Sequence, residues 1–307
     1  MRHPVRWGRV ALTALLMLGT LAFGTPLLLQ TALGQRAWIF LLDPDQYYAR
    51  AVWTDTSVHT QVPCPQDALV ILTGGQSNAG NALTPSIPVG QTRPAYQWFD
   101  GACYRLQDPL LGADGRQGSL WTALGQEIAQ YRAVVFINTA RGATSYRAWL
   151  DWRSGYLRSL QDAAAIATAQ GLTPILVLWH QGESEGGRDA PQWVYRRDLG
   201  WLMARLERAV PSAQILLYQA SRCFSGRISP ALRTAQVEVA QNRPKVFLGP
   251  DTDTIGDTER SDGCHFNGMG RDQIIAETVT VLASMGLIPQ TYRSNLNRCK
   301  YGFPGVM

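Results

Sequence analysis

The chain has 307 residues, 46% of them apolar and 17% charged, a composition that can bury the full core of one large α/β domain. Three of the positive charges behind its net charge of +5 are Arg2, Arg6 and Arg9, which precede an apolar run, so the rest of the chain is close to neutral. This balance argues against a nucleic-acid-binding protein, whose surface normally carries a concentrated basic patch.

The first predicted element is an apolar segment, residues 10–35, with 26 uncharged residues. It is long enough to cross a bilayer, which needs about 20 residues, and the arginines before it would remain cytoplasmic. A cleaved signal peptide is the alternative, because the small residues Ala32 and Gly34 lie near its end. We assign residues 1–35 to a signal peptide or membrane anchor. We expect an exported protein, periplasmic or extracellular, anchored to the membrane by residues 10–34 if the segment is retained.

The body of the chain alternates between strand and helix patterns. Residues 36–66 are aromatic and polar without a clear period and are predicted to be a linker. Five apolar runs follow, and each is continuous, as in strands buried on both faces of a parallel sheet. The runs are residues 67–73, 133–139, 174–179, 213–220 and 245–249. Helical patterns separate them, which predicts an α/β domain over residues 67–290 with a central parallel sheet of about five strands between two helical layers, and a tail at 291–307.

One stretch, residues 81–118, interrupts this alternation. It is rich in proline and turn-forming residues and has no helical period, which predicts a long loop or a small hairpin. It leaves the carboxyl end of the first strand, where open parallel sheets bind ligands. We therefore expect it to form a wall or lid of the pocket.

The sequence ILTGGQSNAG, residues 71–80, ends the first strand with two glycines and Ser77. An α/β enzyme often places a nucleophile at such a turn, although a serine there can also simply cap a helix. Serine needs a base to take its proton, and histidine is the usual one. His3 lies in the N-terminal segment and His59 in the predicted linker, which leaves two candidate histidines.

His265 is the better candidate base. Asp262 precedes it by three residues, so its carboxylate can turn back to the imidazole Nδ1 and leave Nε2 facing the serine. Asp257 and Glu259 are alternative acids. His180, which follows the third strand, is expected to line the pocket or belong to the core.

An acyl-transfer site also needs hydrogen-bond donors where negative charge develops. Three are available at strand ends: the backbone N–H of Ser77, the N–H of Gly142, which has no side chain to block approach, and the side-chain amide of Gln181. We expect these donors to form an oxyanion hole.

Four blocks in this order, GGQSN, ARGATS, WHQGES and the D-x-x-H of Asp262 and His265, resemble the SGNH-type carbohydrate esterases, in particular the sialate O-acetylesterase and acetylxylan esterase-like branch. The resemblance spans nearly all of the predicted domain. It implies a flavodoxin-like three-layer α/β/α sandwich. It also implies that Ser77 is the nucleophile, that the Asp–His pair completes a triad, and that Gly142 and Gln181 build the oxyanion hole.

Residues beside these blocks are expected to hold the site or to contact substrate. Glu183 is expected to be a buried carboxylate that fixes its loop, and Asn78 to support the nucleophile turn; Gln76 and His180 belong to the same group. The second block has Gly-Ala-Thr where the family often has Gly-Gly-Thr, and we expect Ala143 to be tolerated there.

Five cysteines in a chain predicted to be exported indicate one or two disulfides and a leftover thiol. None forms a CxxC pair, so no metal site is predicted. Cys264 lies inside the D-x-x-H segment and Cys223 follows the fourth strand, at the same end of the predicted sheet. We hypothesise that these two cysteines pair.

Together these features predict a serine esterase that removes O-acetyl groups from an extracytoplasmic carbohydrate through an acyl-enzyme. The expected partner is an acetylated carbohydrate, and no metal or organic cofactor is expected. Acetyl transfer to a polysaccharide uses the same residues and is one alternative; an exported sugar-binding module with an inactive site is another. An α/β-hydrolase would have G-x-S-x-G, and here Ala79 replaces the last glycine.

Overall fold

The computed structural model describes residue 31 and residues 52–86, 93–186, 191–224 and 227–290. The predicted signal or anchor segment lies outside this part of the chain apart from residue 31, and so does the predicted C-terminal tail. Among the described residues, no helix is both long and apolar enough to cross a membrane.

One central sheet organises the described residues. Its eight strands are β1 (Gln61–Val62), β2 (Leu69–Gly75), β3 (Ala95–Phe99), β4 (Ala102–Arg105), β5 (Val134–Asn138), β6 (Leu176–His180), β7 (Gln214–Gln219) and β8 (Val246–Asp251). They lie in the order β1-β4-β3-β5-β2-β6-β7-β8. Within the run β3-β5-β2-β6-β7-β8 all paired strands are parallel. β4 is antiparallel to both β3 and β1.

Helices cover both faces of the sheet. They are α1 (Leu120–Ile128), α2 (Tyr146–Leu150), α3 (Tyr156–Ala169), α4 (Glu183–Gly186), α5 (Gln192–Ala209), α6 (Pro230–Gln241) and α7 (Gly268–Ser284). Because successive side chains of a strand point to opposite faces, Val70 and Leu72 of β2 join the core with α2, α3, α5 and α6, while Leu69 and Ile71 join the core with α1 and α7. The three-layer α/β/α sandwich predicted from the sequence is confirmed.

Polar side chains cap the first turns of two helices, α1 and α7. The Ser119 hydroxyl accepts a hydrogen bond from the N–H of Trp121 at the start of α1. The Asn267 side chain accepts from the N–H groups of Met269 and Gly270 at the start of α7. Such caps satisfy amides that have no partner within the helix, and the second one also fixes the end of the loop that carries His265.

The sheet has more strands than the sequence predicts, because its edge comes from two other segments. The stretch predicted to be a long loop or small hairpin contains the β3–β4 hairpin, and β3 pairs with β5. In the predicted linker, β1 pairs with β4, Cys64 is bonded to Cys103, and the N–H of Trp53 donates to the carbonyl of Ala113. Residues 52–64 are therefore packed into the domain. A strand of two residues is too short to leave a period in the sequence.

The topology places the carboxyl ends of β2, β5 and β6 side by side. β2 lies between the other two, and the chain leaves it toward one edge of the sheet before β6 is added on its other side. A parallel sheet opens a crevice at such a reversal of strand order. The blocks GGQSN, ARGATS and WHQGES occur at these three strand ends.

Candidate active site

The turn that carries Ser77 requires a glycine before it. Gly75, the last residue of β2, has a φ of 120°, and a Cβ on it would lie 1.9 Å from the carbonyl oxygen of His180 on β6. Only glycine adopts this conformation and tolerates this approach. Ser77 is then the first residue of a 3-10 turn, Ser77–Ala79, where its N–H has no partner within the turn.

Three side chains predicted to act together form a hydrogen-bonded chain. The Oγ of Ser77 lies 2.9 Å from Nε2 of His265, and Nδ1 of His265 lies 2.7 Å from Oδ2 of Asp262. The other carboxylate oxygen accepts from the backbone N–H groups of His265 and Cys264. Burial raises the pKa of Asp262, but these hydrogen bonds outweigh it and hold the pKa below its usual value, so the carboxylate is ionised at neutral pH.

Two contacts hold the loop that carries the aspartate and the histidine. Cys264 is bonded to Cys223, which follows β7, as hypothesised from the sequence. The buried guanidinium of Arg260 donates to the carbonyls of Thr252, Ile255 and Cys264. The loop is thus attached covalently to the β7 end and by hydrogen bonds to the β8 end. Cys299 lies outside the described residues.

Asn78 connects the nucleophile turn to the histidine loop and to the third block. Its Nδ2 donates to Oε1 of Glu183 at 3.0 Å and to the carbonyl of Cys264 at 3.3 Å, and its Oδ1 accepts from the N–H of Phe266 at 3.4 Å. The support role predicted for Asn78 rests on these contacts. These contacts fix the nucleophile turn, which carries Ser77, against the loop that carries His265.

Glu183 and His180 are buried behind this turn. His180 Nδ1 lies 3.2 Å from Glu183 Oε1, and His180 Nε2 lies 3.0 Å from the hydroxyl of Thr252. Burial raises the pKa of Glu183, but its interaction with His180 and the hydrogen bond from Asn78 outweigh burial, so the net shift of the pKa is downward. Glu183 borders the cleft, whereas His180 is fully enclosed.

Gln76 fixes the third block. Its buried Oε1 accepts from the N–H of Gly182 at 3.4 Å and of Ser184 at 3.3 Å, and its backbone N–H donates to the carbonyl of His180. The side chain therefore ties the nucleophile turn to the start of α4.

The structure corrects the prediction for Gln181. Its amide does not reach the cleft; it is fully buried and donates to Oε2 of Glu185 at 2.5 Å. A buried carboxylate needs donors, and Glu185 takes this amide together with the N–H of Tyr146. Because a charge-assisted hydrogen bond is stronger than a neutral one, the buried acid competes successfully for the amide.

Gly142 does border the cleft beside Ser77, but its N–H is engaged. It donates to Oδ2 of Asp114 at 2.9 Å. The next residue, Ala143, has a φ of 54°, in the left-handed region that favours glycine. Its tolerance therefore comes with local backbone strain.

The cleft has a volume of about 810 Å³ and includes residues that sequence reasoning missed. Asp114 and Arg116 come from the stretch predicted to form a wall or lid, and the guanidinium of Arg116 lies over the ring of Trp53. Phe224 is 71% exposed at the cleft edge, with its ring centroid 6.2 Å from that of His265. The Asp-Gly pair and the phenylalanine beside Cys223 were the available signals, but neither belongs to a motif.

No group of three or more metal-binding side chains occurs in the part of the chain that the structure describes.

Residues 118–279 match the model of a family described as carbohydrate esterase, sialic acid-specific acetylesterase. The chain belongs to this family. It is a carbohydrate esterase, and the matched region contains Gly142, Gln181, Asp262 and His265, whereas Ser77 precedes it. No curated protein sequence matches the chain.

Solved structures resemble this carbohydrate esterase at low sequence identity. A protein from Arabidopsis thaliana is 16% identical with a TM-score of 0.58, covering 71% of this chain and 98% of its own. A family two carbohydrate esterase from Cellvibrio japonicus is 16% identical with a TM-score of 0.48; the match covers 73% of this chain and 62% of that esterase. The psychrotrophic esterase EstA from Pseudoalteromonas sp. is 16% identical with a TM-score of 0.47; the match covers 71% of this chain and 99% of EstA. The first of these likenesses supports the fold.

Proposed function

We propose that this carbohydrate esterase hydrolyses O-acetyl esters of an extracytoplasmic carbohydrate, with Ser77 as nucleophile, His265 as general base and Asp262 as the residue that orients the imidazole. The observation that carries the proposal is the pair of distances from His265, 2.9 Å to the serine oxygen and 2.7 Å to the carboxylate. A carboxylate only accepts hydrogen bonds, so Nδ1 of His265 donates to Asp262, and Nε2 is left to accept from the serine hydroxyl.

The reaction begins when Ser77 Oγ attacks the acetyl carbonyl carbon and its proton passes to Nε2 of His265. The N–H of Ser77 stabilises the oxyanion that forms, together with the N–H of Gly142 once Asp114 has released it. When the intermediate collapses, the C–O bond to the sugar breaks, the sugar oxygen takes the proton from His265, and the acetyl group stays on Ser77. Water, deprotonated by His265, then releases acetate and restores the serine.

The location and the substrate rest on separate observations. The apolar segment at residues 10–34 and the two disulfides support an oxidising compartment outside the cytoplasm. The family description names sialic acid, so O-acetylated sialosides are the first substrates to test, followed by acetylated xylan and bacterial exopolysaccharides.

An acetate-release assay with these substrates tests the proposal. Ser77→Ala is expected to lower kcat/KM by at least about a thousandfold, as removal of a triad nucleophile does in other hydrolases. Ser159→Ala, which removes an exposed hydroxyl of α3, is the matched control and is expected to keep wild-type activity. Acetate release that survives Ser77→Ala unchanged would overturn the assignment.

The same assay separates hydrolysis from transfer. Adding an unacetylated glycan as acceptor leaves acetate release unchanged if water is the natural acceptor. Acetylation of the glycan at the expense of free acetate would instead identify a transferase.

A further inference from the structure

The carboxylate of Asp114 accepts a hydrogen bond from the N–H of Gly142, a donor that the proposed reaction needs for its oxyanion. The N–H of Gly142 donates to its Oδ2 at 2.9 Å, and the N–H of Gly115 donates to its Oδ1 at 2.7 Å. A Cβ placed on Gly142 would lie 2.6 Å from Asp114 Oδ2 and 3.6 Å from Ser77 Cβ. The carboxylate therefore lies next to the nucleophile, at the position toward which Gly142 would direct a substrate oxygen.

This arrangement conflicts with acyl transfer as long as it persists. One N–H cannot stabilise both a carboxylate and the oxyanion of a tetrahedral intermediate, and the two negative charges repel each other at this separation. The Asp114 side chain must leave Gly142 before or during attack on the ester.

The contacts of Asp114 allow its side chain to leave without unfolding the loop. Its backbone N–H donates to the carbonyl of Ala140 at 3.0 Å, and its carbonyl accepts from the N–H of Asn81 at 2.8 Å. The main chain is thus held on both sides, so displacing the carboxylate from Gly142 calls for a change in side-chain torsions and not for movement of the loop.

A carboxylate that loses a charge-assisted hydrogen bond inside a cleft needs a new donor. A sugar ring supplies one when the carbon next to the acetylated position carries a free hydroxyl. An acetyl ester without such a hydroxyl supplies none.

We propose that Asp114 is a specificity-determining residue that selects acetyl esters flanked by a free hydroxyl. The inference rests on the proposed function, because it takes Gly142 as an oxyanion donor for attack by Ser77. In the resting enzyme Asp114 blocks this donor. A partly acetylated sugar releases the donor, because its neighbouring hydroxyl donates to the displaced carboxylate while the ester carbonyl accepts from Gly142. A fully acetylated sugar has no hydroxyl to offer and competes poorly for the site.

The test compares kcat/KM for three acetyl donors: a methyl glycoside with one acetyl group and a free neighbouring hydroxyl, the fully acetylated methyl glycoside, and p-nitrophenyl acetate. The wild-type enzyme is expected to prefer the first glycoside over the second by about tenfold or more, which corresponds to ~1.4 kcal/mol. Asp114→Ala is expected to abolish this preference and to raise kcat/KM for p-nitrophenyl acetate severalfold. Asp67→Ala removes an exposed carboxylate before β2, at the opposite end of the sheet, and is expected to change neither value.

Two results would overturn the proposal: equal wild-type activity on the two glycosides, or a proportional loss on all three donors in Asp114→Ala. Asp114→Asn keeps the shape of the side chain without its charge and provides a second variant if the alanine variant does not fold. It is expected to raise kcat/KM for p-nitrophenyl acetate, and a decrease would count against the blocking role. Failure of the proposed function is recognised separately, by activity that survives Ser77→Ala.

Discussion

The disulfide between Cys223 and Cys264 is expected to contribute to catalysis as well as to stability, and the second disulfide of this chain provides a matched control. The two bridges join cysteines 41 and 39 residues apart, so in the chain-entropy model each stabilises the fold by nearly the same ~4 kcal/mol. Their surroundings differ. Cys264 lies between Asp262 and His265, whereas Cys64 and Cys103 join the segment after the edge strand β1 to the neighbouring strand β4.

Double replacement by alanine, Cys223→Ala with Cys264→Ala or Cys64→Ala with Cys103→Ala, separates the two effects. Both variants are expected to lose a similar free energy of unfolding, measured by urea denaturation. The first is also expected to lose about 10-fold to 100-fold in kcat/KM at a temperature where both variants are folded, because a shift of about 1 Å between reacting groups has a cost of this size. The measurement uses p-nitrophenyl acetate, which avoids effects of sugar binding.

Equal losses of kcat/KM in the two variants would refute this reasoning, since stability alone would then explain the decrease. Wild-type kcat/KM in the first variant would show that Arg260 and Asn78 hold the histidine loop without the disulfide.

Three further changes test other parts of the structure. Ala143→Gly relieves a left-handed backbone conformation and is expected to raise the free energy of unfolding by up to about 1 kcal/mol in urea denaturation; a decrease would contradict the strain. Burial lowers the pKa of His59 below 6.5, so the unfolded chain binds its proton first and stability falls as the pH drops below about 6.5. His59→Gln, which can keep a contact with Gln97, is expected to reduce the difference in thermal midpoint between about pH 7.5 and about pH 5.5, and an unchanged difference would count against it. Phe224→Ala is expected to raise KM for acetylated glycosides severalfold with little change for p-nitrophenyl acetate, because an exposed ring at the cleft edge can stack on a sugar; Trp193→Ala, an exposed aromatic outside the cleft, is the control.

Sequence reasoning located the residues that lie in motifs at strand ends. Ser77 and His265 could be found because a buried strand that ends in glycine has a recognisable sequence, and because an aspartate three residues before a histidine can fold back on it. The structure brings these side chains within hydrogen-bond distance. Their roles in the reaction remain a prediction that the experiments above address.

The environment of the donors could not be derived in the same way. Gln181 stands in the expected block, but Glu185, four residues later, takes its amide once both are buried, and a motif carries no information about such competition. Asp114 lies in a stretch without a period, far in sequence from Gly142, so their contact appears only when the chain is folded. Likewise β1 is too short to show an alternating pattern, and residues 52–64 of the predicted linker proved to be part of the domain.

The most direct test of the central claim is covalent labelling of the nucleophile with a fluorophosphonate ester, a reagent that reacts with activated serines, followed by peptide mass spectrometry. A single phosphonyl group is expected on Ser77, and labelling is expected to fail in His265→Ala, where no base takes the proton. Labelling of a different residue, or equal labelling of Ser77 with and without His265, would contradict the account.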